Sequence, residues 1–222
     1  MRINFTLLAF TLALTLSFRT MIAATEPTAP TRVACIGDSI TAGIGADKGK
    51  DYPAQLAEML GNGWDVRNFG INGATLLRKG DSPWGDLDKV KDYKPDVIIV
   101  MLGTNDSKPK NWKYKEEFSK DYVWMIEEFR KIPGTPKIFI SLPCFVIDPN
   151  HEINEAAIEE QIPIIEQISK QQKTGLIDMH SPLMHDPAPL LPDHIHPSTA
   201  GATKLAEAAC QAVTSGKLGQ KD

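Results

Sequence analysis

The chain has 222 residues, 42% of them hydrophobic and 23% charged, with 24 basic against 28 acidic side chains. That composition belongs to a globular protein of one domain, two at most, long enough to bury a large core without disulfide staples. The acidic balance excludes the electrostatic footprint of a nucleic-acid binder.

The N-terminal stretch reads as an address and not as part of a fold. Met1-Arg2 is a short positive start, residues 3–18 (INFTLLAFTLALTLSF) are mostly apolar, and small residues follow at Ala23 and Ala24. This is the pattern of a secretory signal peptide over 1–24, with an uncleaved membrane anchor as the other reading. No cysteine follows the apolar run, which argues against lipid attachment. The expectation is an exported protein, periplasmic or secreted, with no stable membrane association after cleavage. Cleavage removes Arg2 and Arg19 and no acid, leaving 22 basic against 28 acidic side chains, a formal charge of −6. Residues 25–31 (TEPTAPT) form a Pro-bearing linker, 32–215 the domain, and 216–222 a flexible tail.

From residue 31 onward two hydrophobic periods alternate. Strands are predicted at 32–37 (RVACIG), 64–70 (WDVRNFG), 95–103 (PDVIIVMLG), 136–143 (PKIFISLP) and 174–180 (TGLIDMH). Helices are predicted at 51–60, 83–93, 115–132, 154–172 and 197–213, all but the short second one with apolar residues at helical spacing. Pro163 is expected to kink the fourth helix or to begin a new one. The run PDVIIVMLG is apolar along most of its length, so both of its faces are expected to be buried, as in parallel sheets covered by helices on both sides. Five strands alternating with helices predict one α/β sandwich with a mostly parallel sheet. Functional residues then belong at the carboxyl ends of the strands.

The three cysteines, Cys35, Cys144 and Cys210, fit no metal or redox spacing and read as small buried hydrophobes, with one disulfide left open. The basic segment KPKNWKYK (108–115) reads as a solvated loop or helix start, or as a site for an anion.

Four short segments close four of the strands. Gly37-Asp38-Ser39 follows the first and presents a serine in a strand-to-helix turn. NFGINGAT (68–75) follows the second, GTND (103–106) the third, and LPDHIHP (191–197) lies between the fifth strand and the last helix. Their chemistry is complementary. A serine hydroxyl is a poor nucleophile until a base takes its proton. His196 suits that task, because imidazole titrates near neutrality. Asp193, three residues earlier, can accept from the other ring nitrogen and fix the tautomer. The oxyanion formed on attack at an acyl carbon needs donors, and the N–H groups of Ser39 and Gly73 with the amide of Asn105 can supply them.

These blocks resemble the GDSL, or SGNH, family of serine esterases and lipases. GDSIT matches its nucleophile motif, with Ile40 for the usual leucine; GINGAT, GTND and DHIHP match its glycine, asparagine and Asp-x-x-His blocks. The resemblance runs from about Arg32 to Val213. It implies a flavodoxin-like α/β/α sandwich with no metal or organic cofactor, Ser39 as nucleophile, Gly73 and Asn105 as oxyanion donors, and Asp193 with His196 completing the triad. His194 stands where members often have glycine, as a surface residue or an extra donor near the pocket. It also suggests a rival metal site of Asp193, His194 and His196, with His180, His185 and Asp186 as further ligands. That alternative leaves Ser39, Gly73 and Asn105 without a role.

Asp38, Trp84, Trp112 and His194 are the candidates for the substrate pocket, the tryptophans as stacking surfaces for a sugar ring or as loop packing. No long apolar lid is evident. The expected partner is a small acyl-ester substrate, and members resembling this chain often remove O-acetyl groups from carbohydrates. Lysophospholipid or thioester hydrolysis is the alternative within the same mechanism. A metal-dependent hydrolase and a non-catalytic carbohydrate-binding protein are the alternatives from other classes.

Overall fold

The computed structural model describes residues 29–147, 152–185, 187 and 191–215. The expected signal segment, most of the linker after it and the expected tail lie outside the described residues. In chain order run β1 (Thr31–Gly37), α1 (Ser39–Ala42), α2 (Tyr52–Leu60), β2 (Trp64–Gly70), α3 (Leu87–Tyr93) and β3 (Val97–Met101). They are followed by α4 (Pro109–Trp112), α5 (Phe118–Arg130), β4 (Lys137–Ser141), α6 (Glu155–Gln172), β5 (Gly175–Ile177), α7 (Ser181–Met184) and α8 (Thr199–Ser215). The strands pair in parallel in the order β2-β1-β3-β4-β5. This is the doubly wound, flavodoxin-like order, which reverses its direction of winding between β1 and β3.

Alternation along the central strands divides the core into two layers. Ala34, Ile36, Ile98, Val100, Ile138 and Ile140 face a layer completed by α3, α5 and α6. Val33, Cys35, Val97, Ile99, Met101 and Phe139 face a layer completed by α2 and α8. All five residues of β3 are buried, as expected of a central parallel strand, whereas β2 at the sheet edge is half-buried or exposed.

The predicted and observed elements differ for local reasons. Strand β5 is shorter than the predicted run because the Asp178 carboxylate accepts from the backbone N–H of His180 (3.0 Å) and Ser181 (2.9 Å), turning the chain out of the sheet. Helix α6 is continuous through Pro163, so the expected break is corrected. Pro163 and Glu159, whose carbonyl loses its N–H partner, both lie on the exposed face, where water replaces the missing bond. The short helices α1, α4 and α7 span single turns, too short to impose a period on the sequence. Cys35, Cys144 and Cys210 are free thiols; the first two are buried and Cys210 is half-buried.

Candidate active site

The first site segment is set by a close approach. A β-carbon on Gly37 would collide with the Thr41 side chain and approach the Met101 carbonyl to 2.6 Å, so only glycine ends β1 here. The next residue, Asp38, caps α1: its Oδ1 accepts from the Ile40 N–H at 2.9 Å. Ser39 therefore sits in the first turn of α1, half-buried, at the carboxyl end of β1. The turn after β2 carries Gly73 at φ +78°, in the left-handed region that glycine adopts without strain. The turn after β3 carries Asn105, which is 4% exposed.

The last segment completes a relay. His196 Nε2 lies 2.9 Å from Ser39 Oγ, and His196 Nδ1 lies 2.7 Å from Asp193 Oδ2. Asp193 Oδ1 accepts from the backbone N–H of Ile195 (3.0 Å) and of His196 (2.6 Å), which locks the turn holding both side chains. Partial burial pulls the Asp193 carboxyl upward, but the His196 backbone N–H, the His196 ring and the Ile195 N–H outweigh it and hold the group below its ordinary value. Asp193 is thus a carboxylate that keeps its charge beside the imidazole.

Ser39, Gly73, Asn105 and His196 line one cavity of about 400 Å³, together with Ile44, Asn72, Lys108, Ile153 and Ile195. The Asn105 amide donates to the Ala74 carbonyl at 3.2 Å and approaches Asp38 Oδ2 at 3.4 Å. Beneath the cavity two buried acids tie the segments together. Asp106 accepts from the N–H groups of Leu76 (2.9 Å) and Leu77 (2.7 Å), fastening the glycine loop to the asparagine block. Asn111 donates to the Asn105 carbonyl at 2.9 Å. Burial pushes Asp106 up to about 7, against the two N–H bonds and with the Asp38 charge adding to the rise. Burial likewise lifts Asp38 to about 6, against bonds from Ile40 and Thr104 and the nearby His196 charge.

The remaining pocket candidates are located elsewhere. Asp38 is 1% exposed and faces inward beneath Asn105, as a cap and not as a cavity wall. Trp84 is a core residue: its Nε1 donates to the Phe69 carbonyl (3.0 Å) and its ring meets Phe129 edge-on. Trp112 packs edge-on against Phe118 and donates to Glu160 (2.8 Å), lining a second cavity beside the first. Both tryptophans are buried against helix α5, Trp84 from the loop before α3 and Trp112 from the end of α4. His194 is exposed and left-handed at φ +73°, a backbone that explains why glycine suits the position. It does not line the Ser39 cavity. Among the described residues no three His, Cys, Asp or Glu side chains cluster as a metal site. Asp193 and His196 bind each other, and His180 is buried with Nδ1 at the Pro143 carbonyl (3.1 Å) and Nε2 near Glu155 (3.2 Å). His185 is exposed, and Asp186 lies outside the described residues.

Sequence reasoning gave no role to Asp106, and took Lys108 and Asn111 only as members of the basic segment 108–115. Asp106 had a signal, since it adjoins Asn105 at a strand end; it is a two-point clamp on residues 76–77.

Sheet order and strand-end cavity define a doubly wound α/β protein with a hydroxyl, an imidazole and a carboxylate in hydrogen-bond succession. The chain belongs to the GDSL-like lipase/acylhydrolase family, whose family model matches residues 35–204. It is 40% identical over 205 residues to an acetylxylan esterase of Xylanibacter ruminicola, covering 82% of this chain and 43% of that protein. It is 32% identical over 134 residues to an uncharacterized lipoprotein, YqeF, of Bacillus subtilis, covering 54% of this chain and 52% of that one. The chain thus spans about half the length, or less, of these curated relatives. In fold it is similar to a carbohydrate acetylesterase from Sinorhizobium meliloti, with a TM-score of 0.70 at 20% identity over 84% of this chain and 99% of that one. An inhibitor-bound aryl esterase of M. smegmatis gives a TM-score of 0.70 at 20% identity over 83% of this chain and 99% of that one. No helix among the described residues is long and apolar enough to cross a membrane.

Proposed function

We propose that this protein is an exported serine esterase that removes short acyl groups, chiefly acetyl, from carbohydrates. The observation that carries the reading is the relay from Ser39 Oγ through His196 (2.9 Å) to Asp193 (2.7 Å), opening on the cavity that Gly73 and Asn105 line.

In this mechanism His196 Nε2 takes the Ser39 proton as Oγ attacks the acyl carbon. Asp193 holds Nδ1 protonated and stabilises the imidazolium that forms. The tetrahedral oxyanion accepts from the N–H groups of Ser39 and Gly73 and from the Asn105 amide, which turns from the Ala74 carbonyl toward the cavity. His196 then protonates the leaving sugar oxygen, and an acetyl ester remains on Ser39. Water, deprotonated by His196, hydrolyses that ester and restores the serine. The chain's own residues supply every step, so the reading needs no metal and no organic cofactor.

The acetyl and carbohydrate parts are supported by the likeness to the acetylxylan esterase and by a cavity wall that mixes polar Asn72, Asn105 and Lys108 with isoleucines. Residues 1–24 act as the export signal, and 32–215 as the catalytic domain. The test is acetate release from acetylated oligosaccharides run beside lysophospholipid hydrolysis. Acetate release from the sugars is the expected result; a clear preference for the lipid overturns the substrate assignment.

A further inference from the structure

The basic segment 108–115 has no part in the relay, yet it forms the wall between two cavities. Lys108 and Ile153 line the cavity of Ser39, while their chain neighbours Ser107, Pro109 and Asn154 line a second cavity of about 340 Å³. The second cavity also contains Trp112, Lys113, Lys115 and Glu160. The four lysines of the segment divide into two kinds. Lys110 pairs with Asp81 at 2.7 Å, with Glu152 adding to its field, and Lys115 pairs with Glu160 at 2.9 Å. Neither Lys108 nor Lys113 forms an ion pair among the described residues, although the Lys108 charge acts on Asp81; Lys113 Nζ lies 4.8 Å from the Tyr114 ring centroid, which draws the cation to the ring face.

Lys108 is also held in place. Its backbone N–H donates to the Asn105 carbonyl (3.3 Å), and its carbonyl accepts from Asn111 and Trp112 (2.8 Å each). The lysine stem therefore begins three residues beyond Asn105, on the same anchored turn. Among the described residues lining the Ser39 cavity, Lys108 is the only lysine, arginine, aspartate or glutamate. A cationic wall on a chain of net charge −4 is a local feature and not a reflection of overall charge.

We propose that the ester cleaved here is borne by an acidic sugar chain, whose carboxylate is held at the Ser39 cavity by Lys108. The proposal rests on the carbohydrate esterase reading above. An ammonium tethered beside the oxyanion donors fixes the register of the chain, so that one acyl group meets Ser39.

The test is inhibition of p-nitrophenyl acetate hydrolysis by methyl glucuronoside and by its neutral counterpart, methyl glucoside. In the wild type the uronoside is expected to inhibit at about one tenth of the concentration, as for a charge-assisted contact, and the gap closes as salt rises. Lys108→Gln loses the gap, whereas Lys108→Arg and Lys113→Gln, the latter in the second cavity, keep it. Equal inhibition by the two sugars, inhibition by neither, or a gap that persists in Lys108→Gln overturns the proposal. Acetate release from acetylated neutral and acidic oligosaccharides separates the two claims. Equal rates on both retain the carbohydrate reading and overturn the acidic one. Release from neither, with the inhibition gap intact, overturns the carbohydrate ester reading and leaves the carboxylate site standing.

Discussion

Asn105→Ala removes one donor from the cavity and nothing from the relay. In the resting site its amide makes two long contacts, 3.2 Å to the Ala74 carbonyl and 3.4 Å to Asp38 Oδ2. Turning it toward an oxyanion therefore forfeits little, on the order of 1 kcal/mol or less. A donor aimed at the developing charge stabilises the transition state by ~2.7–4 kcal/mol, so kcat on p-nitrophenyl acetate should fall by ~10²–10³. KM should change little, because the bond strengthens only as the carbonyl becomes an oxyanion. The same substitution leaves Asp38 with one fewer neighbour inside the protein, costing ~1–3 kcal/mol of stability. Thermal unfolding must therefore be followed alongside, with kinetics taken well below the transition. A folded Asn105→Ala protein whose kcat stays within about threefold of the wild type would refute the oxyanion assignment. A raised KM at unchanged kcat would make Asn105 a ground-state binding group instead.

His196→Ala should reduce kcat by ~10⁴–10⁶, since among the described residues lining the Ser39 cavity His196 is the one general base. Asp193→Ala should cost less, because the carboxylate is 48% exposed and water can replace it as acceptor; steady-state rates of the two variants check the order, and wild-type activity in either contradicts it. Asp38 and Asp106 make stability depend on pH. Both are lifted by burial from 3.8, to about 6 and about 7, so the folded protein keeps protons that the unfolded chain has released. Their contribution to stability is full below the unfolded value and is lost as pH rises through about 6 to 7. A gap of about three units on Asp106 corresponds to ~4 kcal/mol. Tm should fall from about pH 5 to about pH 8, and Asp106→Asn should flatten the decline; a Tm that rises over this window contradicts the reasoning.

The fold was legible because burial on two sides writes itself into strands such as 97–101, and helices α5 and α8 repeat their apolar stripes over several turns. Three of the site segments were legible because glycine, serine and asparagine each have a chemical reason to follow a strand; the Asp-x-x-His pair was expected to close the fifth strand, but β5 ends at Ile177, α7 intervenes, and the pair lies in the turn before α8. What the sequence hid depends on contacts between distant segments. Trp84 and Trp112 read as sugar platforms or as packing, and their edge-on contacts with Phe129 and Phe118 of α5 decide for packing. Asp106 looks like one more polar loop residue until residues 76 and 77 arrive across 30 and 29 positions of chain. Pro163 looks like a helix breaker until its face proves to be the solvent face.

The central claim is that Ser39 forms the acyl-enzyme. It is tested most directly by p-nitrophenyl acetate turnover in the wild type and in Ser39→Ala, with a fluorophosphonate adduct located by peptide mass. The account predicts that the adduct lies on Ser39 and that Ser39→Ala loses both adduct and turnover. Equal turnover in the two proteins, or an adduct on another residue, would contradict it.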